Sequence, residues 1–170
     1  MKDHVTVADI TPAIKQSVQA VLLARAYAET MRARVDKIQR EILAECPVRT
    51  APEHLEQDPT LPQYITEPKD TFLGTDMDCE DYFAECNTRE RAAGLKPDSM
   101  PDEHCPALVA EDIQRKAEWV LCGAAEEVFG VSQSDVLCAG LDKYRQWLDL
   151  LCKLVVNLPD FRNPLTGKAA

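Results

Sequence analysis

Between Thr11 and Pro47, apolar side chains return at alternating steps of three and four residues. Ile14, Val21, Ala28, Val35 and Ile42 hold one position of a seven-residue repeat; Ser17, Ala24, Met31, Ile38 and Glu45 hold the other. A period of 3.5 belongs to helices that pack along a narrow seam. Thr11 suits an N-cap, Pro12 the first helical position, and Pro47 forbids continuation. No Gly or Pro interrupts residues 13–46, so residues 1–46 are expected to form one helix roughly 50 Å long with a short lead-in. Val18, Leu22, Leu23 and Tyr27 widen the stripe in the first half, which suits a multi-helix core. The second half sets Arg32, Arg34, Lys37 and Arg40 around a thin Val35/Ile38/Ile42 seam. It reads either as part of the chain's own core or as a projecting contact for a second helix.

A second helical pattern occupies residues 105–158. Cys105–Pro106 opens a helix with the stripe Val109, Ile113, Ala117, Val120, Ala124 and Val128, closed by Gly130. Ser132 with Asp135 resembles a capping box for a further helix carrying Leu137, Leu141, Tyr144, Leu148, Leu151 and Val155, which stops before Pro159. This is a helical hairpin, followed by a tail over 159–170. Trp119 and Trp147 lie off the centre of each stripe, where a side chain either seals an edge or meets a partner.

Residues 47–104 have neither pattern. They hold seven of the eleven prolines and predict an extended arm, with Tyr64 and Phe72 among its contact side chains. One short helix is expected over 76–93, capped at Thr75/Asp78, stopped at Gly94, and apolar through Tyr82, Phe83 and Cys86. The fold class is therefore all-α: a long N-terminal helix on a C-terminal helical hairpin, with an acidic Pro-rich arm and one short helix between, as one domain.

Charge sharpens the division. Of the net −10, residues 1–50 carry eight Lys/Arg against six Asp/Glu, residues 51–104 four against fourteen, and residues 105–170 seven against nine. An acidic chain repels phosphate backbones, so nucleic acid is a poor default partner. The N-terminus has no apolar signal region, and the longest apolar run, Leu148 to Val156, is far shorter than a membrane span. A cytoplasmic setting without membrane contact follows, in which the seven cysteines are thiols first.

Candidate chemistry is thin. Cys79, Cys86, His104 and Cys105 form the one grouping that suggests a metal, but six residues separate the first pair, against the two to four of zinc sites. No metal and no cofactor is expected, although one disulfide from the acidic segment to the third block stays open. His4, His54 and His104 lie in expected loops, and neighbouring acid pairs such as Glu126–Glu127 diverge on a helix. The chain reads as a non-enzyme.

Ala125-Glu126-Glu127-Val128-Phe129-Gly130-Val131-Ser132, then Asp135-Val136-Leu137, Lys143, Arg145-Gln146 and Leu148, resembles the opening of the DNA-binding domain of the bacterial initiator DnaA. The resemblance covers about 25 residues and implies a helix-turn-helix corner. The family's basic recognition helix falls beyond residue 155, where this chain has Leu158-Pro159-Asp160. The corner after Ser132 has only Lys143 and Arg145 as cations, few for a groove-inserted helix.

The expected function is a helical assembly or adaptor protein that works by protein contact or self-association, in the style of a phage or mobile-element component, cytoplasmic or in a virion. Arg32, Arg34, Val35, Ile38, Ile42, Tyr64, Phe72, Trp119 and Trp147 are its candidate contact residues. Two alternatives remain: an acidic inhibitor that mimics nucleic acid or blocks a basic groove, and a helix-turn-helix DNA binder.

Overall fold

The computed structural model describes residues 7–45, 77, 79–130, 132, 134, 138 and 140–167. These residues are all-α. A 3-10 turn at Val7–Asp9 leads into α1 (Pro12–Glu45), followed by α2 (Cys79–Ala92), α3 (Pro106–Phe129) and α4 (Leu141–Val156). None of these helices is long and apolar enough to cross a membrane. The chain divides into two compact units, Met1–Thr30 with Ala107–Ala170, and Met31–Pro106. One division falls inside α1, between Thr30 and Met31, and the other at the start of α3, between Pro106 and Ala107.

The ends of α1 follow local chemistry. The Ile14 N–H donates to Thr11 Oγ1 at 3.2 Å, which makes Thr11 the N-cap of a helix begun by Pro12. Nine consecutive seam positions, from Ile14 to Ile42, are buried in steps of three and four. Glu45, the last position of the repeat, is instead exposed and ion-paired with Arg89.

In the first unit, Ile14, Val18 and Val21 of α1 join Leu121, Cys122, Ala125 and Phe129 of α3 and Leu148, Leu151, Cys152 and Val155 of α4 in one apolar core. Arg25 ties the three helices at their margin, donating to Glu118 at 2.9 Å and Asp149 at 2.6 Å. The segment expected to be a tail belongs to this core. Phe161 is buried, its N–H bonds to the Leu158 carbonyl at 3.0 Å, and Lys15 pairs with Asp160.

Two stripes need correction. On α3 the buried face is Ala110, Leu121, Cys122, Ala125 and Phe129, whereas Ile113 and Val120 point outward and Val109, Ala117, Ala124 and Val128 are only half-buried. The two stripes overlap and each holds two alanines; the buried one is the one whose Leu121, Cys122, Ala125 and Phe129 join the core side chains of α1 and α4. The last helix begins at Leu141, after Gly140 in a positive-φ conformation (φ 104°), and leaves Leu141 exposed. Leu148, Leu151 and Val155 are buried as expected. Leu137 and the capping-box acid Asp135 lie outside the described residues.

In the second unit, Met31, Val35, Ile38 and Ile42 of α1 are buried, as are Tyr82 and Cys86 of α2. Gly94 (φ 67°) ends α2 in a Schellman turn: Leu95 N–H bonds to the Glu90 carbonyl and Gly94 N–H to the Arg91 carbonyl, both at 2.9 Å. The turn buries Leu95 and sends the chain back along its own helix. Thr75 and Asp78, the expected cap, are outside the described residues.

Candidate functional site

Residues 97–105 carry no regular element, yet two cations of the α2 end fix their course. Arg91 donates to the carbonyls of Pro97 (2.8 Å) and Met100 (3.0 Å) and to Asp102 Oδ1 (2.6 Å). Lys96 is buried; its ammonium donates to Asn87 Oδ1 and to the Asp102 carbonyl at 2.8 Å. Backbone turns from Met100 N–H to Pro97 and from His104 N–H to Pro101 complete the loop. A loop with few apolar side chains is thus held by carbonyls gathered around two fixed positive charges.

The loop walls a cavity of about 440 Å³ against α2 and Gln39 of α1. Phe83, Cys86, Asn87 and Glu90 line it from α2; Asp102, Glu103, His104 and Cys105 line it from the loop. Its volume falls within the range of small-molecule pockets.

Glu90 is the unusual group there. It is only 3% exposed, and its carboxylate accepts no hydrogen bond and makes no close ion pair within the described structure. Burial pushes its carboxyl above the ordinary range, and the charges of Lys96 and Arg91 pull it partly back. Cys86 is likewise raised by burial, and Tyr82 is pushed up to about 12 for the same reason, with the Cys86 thiol adding to it. A protonated buried thiol is a weak nucleophile.

The sequence reading missed both Glu90 and Lys96. One signal was present: Tyr82, Cys86 and Glu90 are spaced by four, so an acid continues the apolar stripe of α2. Lys96 had no comparable signal, because its burial depends on the turn at Gly94.

The candidate contact residues scatter. Val35, Ile38 and Ile42 are buried in the second unit, the position that the core reading of this stripe gives them. Arg32 and Arg34 are exposed, and Arg34 donates to the Ala93 carbonyl at 3.0 Å. Trp119 is 57% exposed, while Trp147 is half-buried against the first unit's core. Tyr64 and Phe72 lie outside the described residues.

Cys86, His104 and Cys105 line one cavity, but among the described residues no three His, Cys, Asp or Glu side chains are grouped to hold a metal ion. The described cysteines, Cys79, Cys86, Cys105, Cys122, Cys138 and Cys152, are free thiols.

On α3, Leu108, Ile113, Trp119 and Val120 are exposed together. Leu108 and Trp119 are eleven residues apart and Ile113 and Val120 seven, so each pair points the same way, and the two pairs lie about 120° apart around the helix, on the two edges of its solvent side. Asp112 and Lys116 lie between them and pair at 2.7 Å. No known family matches the chain, and no curated protein or solved structure is significantly similar to it.

Proposed function

We propose that the chain is a non-enzymatic helical contact protein, an assembly or adaptor component, and that its first unit meets a protein partner or a second copy through the outward side of α3. The observation that carries this reading is the exposure of Trp119, Val120, Leu108 and Ile113 on one helix whose opposite side already fills the core. Tryptophan with branched aliphatic neighbours is the composition of interface centres, and the Asp112–Lys116 pair supplies a polar element beside it. The raised thiols of Cys86, Cys122 and Cys152, each protonated by burial, fit a chain without a cysteine nucleophile. A cytoplasmic setting, or a virion for a phage-derived chain, belongs to the same reading.

This moves the expected contact away from the second half of α1, whose apolar seam is occupied, to a helix whose surface is not. Sedimentation velocity over a wide concentration range, together with capture on the immobilised chain, tests the proposal. Association, with itself or with a captured protein, is expected, and Trp119→Glu should abolish it while the melting temperature stays unchanged. A monomer at every concentration that retains no protein, or association indifferent to Trp119→Glu, contradicts it.

A further inference from the structure

The cavity of the second unit is lined by a buried carboxylate, Glu90, that accepts no hydrogen bond among the described residues. Burying an ion without a hydrogen-bonded partner is costly, so such groups are paired or kept neutral. Glu90 has the means for neither in full. Lys96 is close enough to act on it electrostatically, but the two hydrogen bonds its ammonium makes go to Asn87 and Asp102. Arg91 is committed to the loop carbonyls and to Asp102.

Other charges at the cavity point the same way. The Asp102 carboxylate is neutralised by Arg91, whereas the exposed Glu103 has no ion pair among the described residues. Neither cation of this region is left over for a negatively charged ligand. The Phe83 ring, in edge contact with Tyr82 (centroids 5.6 Å apart) and half exposed, makes part of the cavity wall apolar beside the acids.

We propose that this cavity is a binding site for an organic cation, an alkylammonium or alkylguanidinium group, whose charged head reaches Glu90 and whose stem lies along Phe83 toward Glu103. The geometry has the logic of such sites: one buried charge to receive the head, an aromatic wall for the stem, and a second acid at the entrance to raise the local cation concentration. A carboxyl raised by burial strengthens the case, since Lys96 and Arg91 pull it only partly back and neither bonds to it. The inference stands apart from the proposed contact surface, which lies in the other unit.

The test uses the full chain, isotopically labelled, and n-butylammonium, n-butylguanidinium and the neutral isostere n-butanol as probes. Saturable NMR shifts at Phe83, Glu90, His104 and Cys105 are expected with both cations, with dissociation constants on the order of 1 mM for fragments this small, and n-butanol should give none. Glu90→Gln should weaken cation binding about tenfold or more. Because that variant alters a buried position, Phe83→Ala supplies a second reading from an exposed one: it should weaken binding severalfold with the spectrum otherwise intact. Capped lysine binding tighter than n-butylammonium identifies a peptide side chain as the source of the cation. The reverse order identifies a free amine, and either order supports the site. Equal binding of n-butanol, no saturable shift with either cation, or cation binding unchanged in both variants overturns it.

Discussion

The two units solve the problem of making a core in different ways. The first fills its interior with Ile, Val, Leu, Ala, Cys and Phe from three helices and the segment after them, and puts its charges at the margin, where Arg25 meets Glu118 and Asp149. Among its described residues the second buries Met31, Val35, Ile38 and Ile42 with Tyr82, Cys86 and Leu95, and sets two charged side chains, Glu90 and Lys96, beside them in the interior. Where apolar side chains are plentiful, packing alone orders the chain. Along the proline-marked loop 97–105, cations collecting carbonyls do that work, and a carboxylate is left facing a cavity.

The largest expected effect tests the apolar half of this contrast. Leu148→Ala removes a fully buried side chain from the first unit and should lower stability by about 2–5 kcal/mol. Trp119 and Trp147, the chain's only tryptophans, both belong to this unit, so their emission in urea reports the loss directly. A change below about 1 kcal/mol would mean the core is looser than its burial indicates.

The polar half responds to a different change. Lys96→Met deletes the buried ammonium, leaves Glu90 without its nearest positive charge and frees the loop from Asn87 and Asp102. A loss of about 3 kcal/mol is expected, read from circular dichroism melts, with a smaller effect on tryptophan emission. The double variant Glu90→Gln with Lys96→Met should recover part of it, since no charge is then buried alone. If the double variant is as unstable as the sum of the singles, the two ions are not coupled.

How much of this was legible beforehand follows the same line. The heptad of α1 could be read residue by residue, because a periodic apolar stripe with a Thr-Pro cap is a local signal, and nine seam positions are buried where the period puts them. The Gly94 stop was legible for the same reason. The buried side of α3 was not: two overlapping stripes compete there, and the choice between Val120 and Leu121 is made by helices distant in sequence. Phe161 and Lys96 were missed because each is buried by a chain reversal, and Glu90 because an acid was not expected on an apolar stripe. The stripe of Val35, Ile38 and Ile42 left two readings open, the chain's own core or a second helix, since a seam's period says that it packs but not against which chain.

Smaller effects refine the comparison. Gly94→Ala forces an L-residue into the left-handed region at the end of α2 and should cost about 1–2 kcal/mol, visible as faster amide exchange at Leu95 and Lys96. Arg25→Ala, at the margin of the apolar unit, should cost about 1 kcal/mol or less and lose its effect in high salt. A larger penalty at Arg25 than at Lys96 would reverse the contrast between the units.

The weakest effect is one of pH. Because Glu90's folded carboxyl lies above its unfolded value, its contribution favours folding below the unfolded value and is lost as pH rises through the folded one. Wild type should therefore lose ground against Glu90→Gln as pH rises through that window, and the gap should close on acidification. Asp160, held low by Lys15 in the first unit, has the opposite sign: its stabilising pair is lost as pH falls.

The contrast rests finally on the state of one side chain, and carboxyl-carbon NMR of Glu90 in the intact chain reads it directly. The Glu90 resonance should titrate above the ordinary glutamate range, move higher still in Lys96→Met, and fall toward that range when n-butylammonium is added. A Glu90 that titrates like a solvent-exposed glutamate and ignores both changes would contradict the buried, unpartnered carboxylate on which the description of the second unit depends.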